Sequence, residues 1–245
     1  MKFNYDLIPV GYYDNVYHRL RGIQSKWHHH KFERFRQSID YVDKHLDLAC
    51  GGGTFIGNYF NDNSFRVGID VAPTQLAYAR TKYGKDYCHF LCCDGVSLPF
   101  ANESFDLVTS IELIEHLSSQ HATQTIKEAY RVLKPNGKLI VTTPNYRSAM
   151  PILEWILNTF GEISYKNQHI NRYNKTRLSN DLAEVGFEMV SVESYLLLSP
   201  FLALFGRNVP DYFKRIEPDF ISKTIGLLLL GKAVKQPKDL NSSQL

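Results

Sequence analysis

Between about residues 43 and 144, short apolar blocks alternate with stretches whose apolar residues recur every three or four positions. The blocks at about 45–50, Phe65 to Ile69, Cys88 to Cys93, Phe105 to Thr109 and Lys138 to Thr143 predict five strands. A glycine turn after the first block runs into a predicted helix ending near Phe60. Thr74 to Tyr83 predicts a second helix, with Pro73 near its start where proline is tolerated, and residues 121–133 a third. Ile111 to Leu117 opens a helix or turn. Asn61-Asp62-Asn63-Ser64 and Lys134-Pro135-Asn136-Gly137 are turn clusters. Strand alternating with helix is the signature of a parallel sheet with helical crossovers.

The rhythm differs on either side. Upstream, Phe32, Phe35, Ile39 and Val42 recur at helical spacing and predict a helix over about 28–42. After Pro144, Met150 to Phe160 and Thr176 to Val185 predict helices, the second ended by Gly186. Ser164 to Tyr173 is polar and aromatic, Phe187 to Leu197 predicts a strand, and Ile225 to Val234 a last one. Ser199 to Thr224, carrying Pro200, Pro210 and Pro218, is expected to be irregular, and the polar tail from Gln236 to be frayed. No internal repeat and no long linker divides the chain, so a single α/β domain is expected.

Composition narrows the setting. The 245 residues are 44% hydrophobic and 22% charged, enough for a substantial core. A net charge of +3 is too mild to imply nucleic acid. The four cysteines, Cys50, Cys88, Cys92 and Cys93, lack zinc spacing and are expected to be reduced thiols. The first residues show no apolar signal-peptide region, and Leu227 to Leu230 is far too short to span a bilayer, so a cytoplasmic location is expected. His28-His29-His30 would point three ways on a helix and is not expected to hold a metal.

The chemistry gathers at strand ends. His45 to Gly53 reads HLDLACGGG: a strand, a glycine-rich turn and a helix start, where a ligand meets bare backbone N–H groups. Asp47 adds a carboxylate there, Asp70 ends the second strand and Asp94 the third. The spacing from the glycines to Asp70 also suits a dinucleotide site. Glu112, Glu115 and His116 stand at i, i+3 and i+4 and would share one face of a helix.

Over roughly residues 43–235 the chain resembles the class I S-adenosylmethionine-dependent methyltransferases of the type 11 kind. Four elements carry the resemblance in order: Asp47, Ala49, Gly51 and Gly53; Asp70 in VGIDVAP; the stretch CCDGVSLPFANESFDLVTS; and RVLKPNGKLIVTTPN. Ala49 stands where the family's first glycine is usual. The resemblance implies a Rossmann-like, seven-stranded, mostly parallel sheet with helices on both faces and a final antiparallel pair. It implies an N-terminal arm over 1–42, a cofactor core over 43–144, substrate-side and final strands over 145–235, and a tail over 236–245. It implies S-adenosyl-L-methionine as cofactor, with Asp47 near the ammonium, Ala49, Gly51 and Gly53 against the amino acid end, and Asp70 and Val71 at the ribose. Asp94 and Gly95 would meet the adenine, and Ile111 would lie beside the cofactor.

The segment Glu112–His116 further resembles the E-x-x-E-H motif of ubiquinone-biosynthesis O-methyltransferases and of small-RNA 2′-O-methyltransferases. By that resemblance Glu112, Glu115, His116 and His169 could hold a divalent metal, better manganese, iron or zinc than magnesium. The alternative reading gives Glu115, His116 and His169 acid–base or positioning roles without a metal. The acceptor is expected to be a small or lipid-like molecule methylated on a hydroxyl oxygen. Nitrogen, carbon or RNA ribose methylation, or a scaffold subunit without turnover, are the alternatives. No basic patch large enough for RNA is visible, which weighs against nucleic acid. Acceptor contacts are assigned to Tyr12, Tyr13, Trp27 and His28 of the arm, to 145–173 and to 199–224. Phe201 to Phe205 with Leu227 to Leu230 suggests a peripheral membrane contact, although Leu227 to Leu230 reads better as a buried final strand. Nothing in the sequence sets an oligomeric state.

Overall fold

The computed structural model describes residues 8–40, 42–60, 64–160, 168–197, 199–206 and 208–237, without the side chains of Ile156, Leu157, Phe160 and Asp219. The expected turn at 61–63, most of the polar stretch before Gln168 and most of the tail lie outside these residues. Helices α1 (Tyr12–His18) and α2 (Ile23–Arg36) come first, then β1 (Lys44–Leu48), α3 (Thr54–Asn58), β2 (Phe65–Asp70), α4 (Pro73–Tyr83) and β3 (Cys88–Cys92). Next are β4 (Phe105–Ile111), a 3-10 turn (Ile114–His116), α5 (Ser119–Val132), β5 (Leu133–Pro144), α6 (Met150–Phe160), α7 (Lys175–Val185) and β6 (Glu188–Tyr195). A 3-10 segment (Ser199–Phe205), α8 (Val209–Ile216), α9 (Asp219–Ile225) and β7 (Leu228–Val234) follow.

The strands form one sheet in the order β3-β2-β1-β4-β5-β7-β6. Pairs from β3 through β5 are parallel, and β7 is antiparallel to both β5 and β6. Strand order reverses between β1 and β4, which opens a crevice at their carboxyl ends, where α/β sheets bind ligands. Side-chain alternation gives each face its core. Leu46, Leu48, Val108, Leu139 and Leu229 pack with Ile126, Val132, Leu178 and Leu182 of α5 and α7. Leu107, Ile140, Leu228 and Leu230 pack on the other face with Phe32, Phe35 and Phe55 of α2 and α3. The Leu227–Leu230 run is therefore interior, as its buried-strand reading expects. Among the described residues no helix is long and apolar enough to cross a membrane.

Three expectations move. The helix drawn over 28–42 runs from Ile23 to Arg36; Ser38 Oγ donates back to the Arg34 carbonyl, and Arg36 binds the carbonyls of Ile39 and Tyr59, closing it off. Ile39 and Val42 still reach the core, from beyond its end. Ser199–Thr224 is helical rather than irregular, because Pro210 sits in the first turn of α8 and Pro218 caps α9, where proline starts helices. Ile111–Leu117 holds a single 3-10 turn rather than a longer helix, since Glu112 takes a left-handed backbone with φ of 52°.

The arm is tied down by one buried acid. Asp14 of α1 accepts from Tyr78 at 2.8 Å and Tyr83 at 2.6 Å and pairs with Lys82, all on α4. Burial alone would raise its pKa, but those donors hold it below the usual carboxylate value. Tyr83 also lies flat against Gly57 of α3: a Cβ there would fall 2.4 Å from the ring's Cγ. The ring cannot swing away, because its hydroxyl is held by Asp14 and Asn58. Gly57→Ala should therefore cost about 1–3 kcal/mol by overpacking, outweighing the roughly 1 kcal/mol of helix propensity it gains. A lower urea midpoint at unchanged slope is the expected readout.

Candidate active site

The turn after β1 is built on left-handed backbone. Ala49, Gly51 and Gly53 have φ of 55°, 52° and 77°. At Gly53 a Cβ would lie 2.9 Å from the Phe90 ring, so only glycine fits there. Ala49 holds its conformation at a cost of about 1 kcal/mol. The turn is pinned from outside: Cys50 N–H donates to Ile69 O, and Gly51 N–H to Asp70 Oδ2, both at 2.8 Å. Asp70 Oδ1 takes the Ala72 N–H at 2.9 Å. Burial raises the Asp70 carboxyl above its usual value, and these backbone donors pull the other way. A Cβ on Gly51 would meet nothing within 4 Å, so space lies open beside the bared backbone.

Asp47 lies on β1 directly opposite Thr109 of β4 and is 3% exposed. Thr109 Oγ1 donates to Asp47 Oδ1 at 2.6 Å, and His45 Nε2 lies 2.6 Å from the same hydroxyl. The hydroxyl has one proton, spent on Asp47, so His45 donates to it from Nε2. Burial pushes the Asp47 carboxyl up to about 7, and the nearby Asp70 charge adds to this. Asp94 follows β3, with its Oδ1 accepting from Val96 N–H at 3.2 Å, and Gly95 rests on Thr125 of α5. Val71 is half exposed and Ile111 partly buried at the ends of β2 and β4. Asp47, Asp70 and Asp94 thus occupy one edge of the sheet, as the sequence expects.

The second cluster sits beyond β4. Glu115 is fully buried; Thr143 donates to its Oε2 at 2.9 Å, and Oε1 has no partner among the described residues. Burial raises its carboxyl to about 8, with the charge of Glu112 adding. Its carbonyl receives the N–H groups of Ile170 and Asn171, which fixes the His169 loop beneath it. His116 Nδ1 faces the Gln168 carbonyl at 3.2 Å, and burial, then the neighbouring His169, lowers its pKa to about 4. The His116 and His169 rings lie 4.8 Å apart, edge to face. His169 pairs with Glu154 of α6, and Tyr146 OH contacts both, at 2.9 Å from His169 Nδ1. Burial alone would lower the His169 pKa; the Glu154 bond and the nearby carboxylates raise it instead.

Glu115, His116 and His169 offer ligand atoms within 4.8 Å of one another. Glu112 does not join them. Its left-handed backbone turns the side chain to the buried ammonium of Lys31 on α2, so the expected ligand quartet, three residues of one helix face plus His169, is a trio. Of the arm residues assigned to the acceptor, Tyr13 packs against His28, with ring centroids 5.6 Å apart, and Trp27 against Phe201 of the 199–224 segment at 6.1 Å. Sequence reasoning missed Lys31, Thr109, Thr143, Tyr146 and Glu154. Tyr146, two residues past β5, was the one with a positional signal.

A parallel sheet in this order, with an antiparallel last pair and acids along its carboxyl edge, is the methyltransferase form of the Rossmann-like fold. Residues 46–141 match the family described as "Methyltransferase domain". A probable S-adenosylmethionine-dependent methyltransferase of Mycolicibacterium smegmatis is 32% identical over 146 residues, 59% of this chain and 51% of that protein. An uncharacterized protein of Methanocaldococcus jannaschii is 30% identical over 193 residues, 79% of this chain and 70% of its own length. The crystal structure of a SAM-dependent methyltransferase from Archaeoglobus fulgidus superposes with a TM-score of 0.60 at 18% identity, covering 83% of this chain and 92% of that one. The chain belongs to the class I S-adenosylmethionine-dependent methyltransferases. It spans about half the length of the Mycolicibacterium relative.

The raised pKa of Asp47 has a sign. The folded state keeps the proton that the unfolded chain loses near pH 4, so this group's stabilising contribution is full below pH 4 and is lost as pH rises to about 7. Asp47→Asn should match the parent protein near pH 4 and exceed it in stability above pH 7, by up to roughly 4 kcal/mol. Denaturant melts of the ligand-free protein across that range measure the gap.

Proposed function

We propose that the protein transfers a methyl group from S-adenosylmethionine to a hydroxyl oxygen of a small or lipid-like acceptor. The observation that carries the acceptor atom is the half-buried His116–His169 pair beside the end of β4, with His116 held neutral. A hydroxyl must shed its proton when it is methylated. With the Nδ1 proton of His116 directed at Gln168 O, its Nε2 keeps the lone pair that receives one. A base with a pKa of about 4 is adequate, because a protonated ether is a strong acid. His169, fixed by Glu154 and Tyr146, steadies the neighbouring ring. Two relatives carry O-methylation in their names: a tRNA (carboxymethyluridine(34)-5-O)-methyltransferase of Arabidopsis thaliana, 31% identical over 119 residues, and a malonyl-[acyl-carrier protein] O-methyltransferase of Enterobacter lignolyticus, 32% over 128.

The cofactor supplies an electrophilic methyl on a sulfonium when bound. In this reading the open space at Gly51 takes its amino acid end, Asp47 faces the ammonium, Asp70 and Val71 take the ribose, and Asp94 and Gly95 take the adenine. Ile111 walls the cleft. Asp70 keeps lone pairs after serving Gly51 and Ala72, so a diol adds to its bonds rather than replacing them. Alignment of the hydroxyl with the methyl supplies much of the rate.

One observation favours a second reading. The Oε1 of Glu115, without a partner among the described residues, makes with His116 and His169 a donor trio that fits a manganese, iron or zinc ion, which would lower the acceptor hydroxyl's pKa. Glu112 is outside it.

Methyl label from S-adenosylmethionine, transferred by the protein into a cell extract, should appear in the small-molecule or lipid fraction; label confined to RNA or protein would overturn the acceptor class. His116→Ala should lower kcat about 10²–10⁴-fold while S-adenosylhomocysteine binds as before. Asp70→Ala should weaken that binding about 10–100-fold in calorimetry. A chelator that leaves the rate unchanged removes the metal reading.

A further inference from the structure

The helical segment from Ser199 to Ile225 turns its polarity inside out. Asp211 and Lys214 of α8 face inward to α2: Asp211 binds Lys26 and, at 2.9 Å, His30, and Lys214 binds Glu33. Glu217 faces inward too, accepting from Ser199 N–H at 2.9 Å. The large apolar side chains point the other way. Leu204 and Phe205 are each 76% exposed, Phe220 73%, Tyr212 63%, Ile216 54% and Phe213 41%. Six such residues within seventeen positions exceed the scattered exposure normal for a protein surface. They span three consecutive helical pieces and follow helical spacing, Tyr212 and Phe213 standing four and three residues before Ile216.

We propose that this surface docks on an anionic lipid bilayer. The charges select the occupant. Of the segment's acids, Asp211 and Glu217 are engaged on its inner side, and the exposed residues Arg215 and Lys223 stand among the apolar ones. Apolar and aromatic tips rimmed by exposed cations match the acyl boundary and anionic headgroups of a membrane surface.

The docking segment is linked to the methyl-transfer edge through α2. Phe201 packs on Trp27 of α2, and Lys31, one turn further along that helix, binds Glu112 just past β4. The proposal goes beyond the methyltransferase reading and does not depend on the acceptor, since it concerns where the protein sits.

The test is co-sedimentation of the full chain with vesicles of phosphatidylcholine alone or with added phosphatidylglycerol. Binding is expected to the anionic vesicles and to fall at least tenfold at high salt. Phe205→Ser with Phe220→Ser should weaken it at least tenfold, and Arg215→Glu should weaken binding to the anionic vesicles more than to the neutral ones. Both residues changed in the double variant are exposed, so its affinity for S-adenosylhomocysteine should be unchanged, which separates loss of docking from loss of fold. Absence of sedimentation with either vesicle, or equal binding by the double variant, would overturn the proposal. So would a dimer of the parent protein that the double variant splits and vesicles leave intact, because the face would then serve a second copy of this chain.

Discussion

Two hydrogen bonds to one carboxylate set the shape of the edge where this protein works. Asp70, at the end of β2, takes the N–H of Gly51 from the neighbouring turn and that of Ala72 from its own strand's exit. With them in place, the chain leaves β1 through three left-handed residues in five and enters α3 with open space beside Gly51. They join the Cys50 N–H bond to Ile69 O and the Gly53 N–H bond to Cys50 O in holding the turn against about 1 kcal/mol of strain at Ala49. The acid is thus both scaffold and candidate ligand: it shapes the cradle with one set of lone pairs and keeps another for what enters it.

Three other carboxyls are taken almost wholly out of water, and the number of donors around each decides its state. Asp14 has two tyrosine hydroxyls and an ammonium and stays ionised. Asp47 has the single hydroxyl of Thr109 and sits near neutrality's midpoint, at about 7. Glu115 has Thr143 on one oxygen, nothing among the described residues on the other, and rises to about 8. Desolvation acts on all three in the same direction; only compensation differs. The two under-compensated acids are those beside the crevice, where an entering ammonium or cation would supply what the fold withholds.

The sheet and its edge were legible because they are written in local signals. Alternating strand and helix, the glycine run and the acids at strand ends each occupy a few consecutive residues, and the parallel topology follows from them. The chemistry beyond β4 was only half legible. Glu115, His116 and His169 do converge, yet the helical spacing that grouped Glu112 with them fails at one residue with positive φ. Lys31, which draws Glu112 away, lies 81 positions earlier and carries no mark of the role. Glu154 and Tyr146 escape for the same reason: their partner comes from a different element, and no periodicity spans the gap. The inverted polarity of α8 misled in another way, since apolar residues among prolines suggest an irregular coil until their outward direction is seen.

The place of β7 bears on how the chain is made. Among the described residues it is the last strand in sequence, yet it lies between β5 and β6 and supplies the only strand neighbour that β6 has there. On the ribosome, β1 to β5 can assemble as they emerge, but β6 must wait, its backbone hydrogen bonds unmet, until Leu228–Val234 clears the exit tunnel. The Leu227–Leu230 run that then closes both faces of the sheet is the most apolar stretch of the strand. Until it arrives, β5 presents an open edge beside uncovered leucine-rich cores, an aggregation hazard while the chain is being made. Closure of the sheet therefore waits on β7, and a ribosome that stalls before residue 228 would release a β5 with no partner at its outer edge.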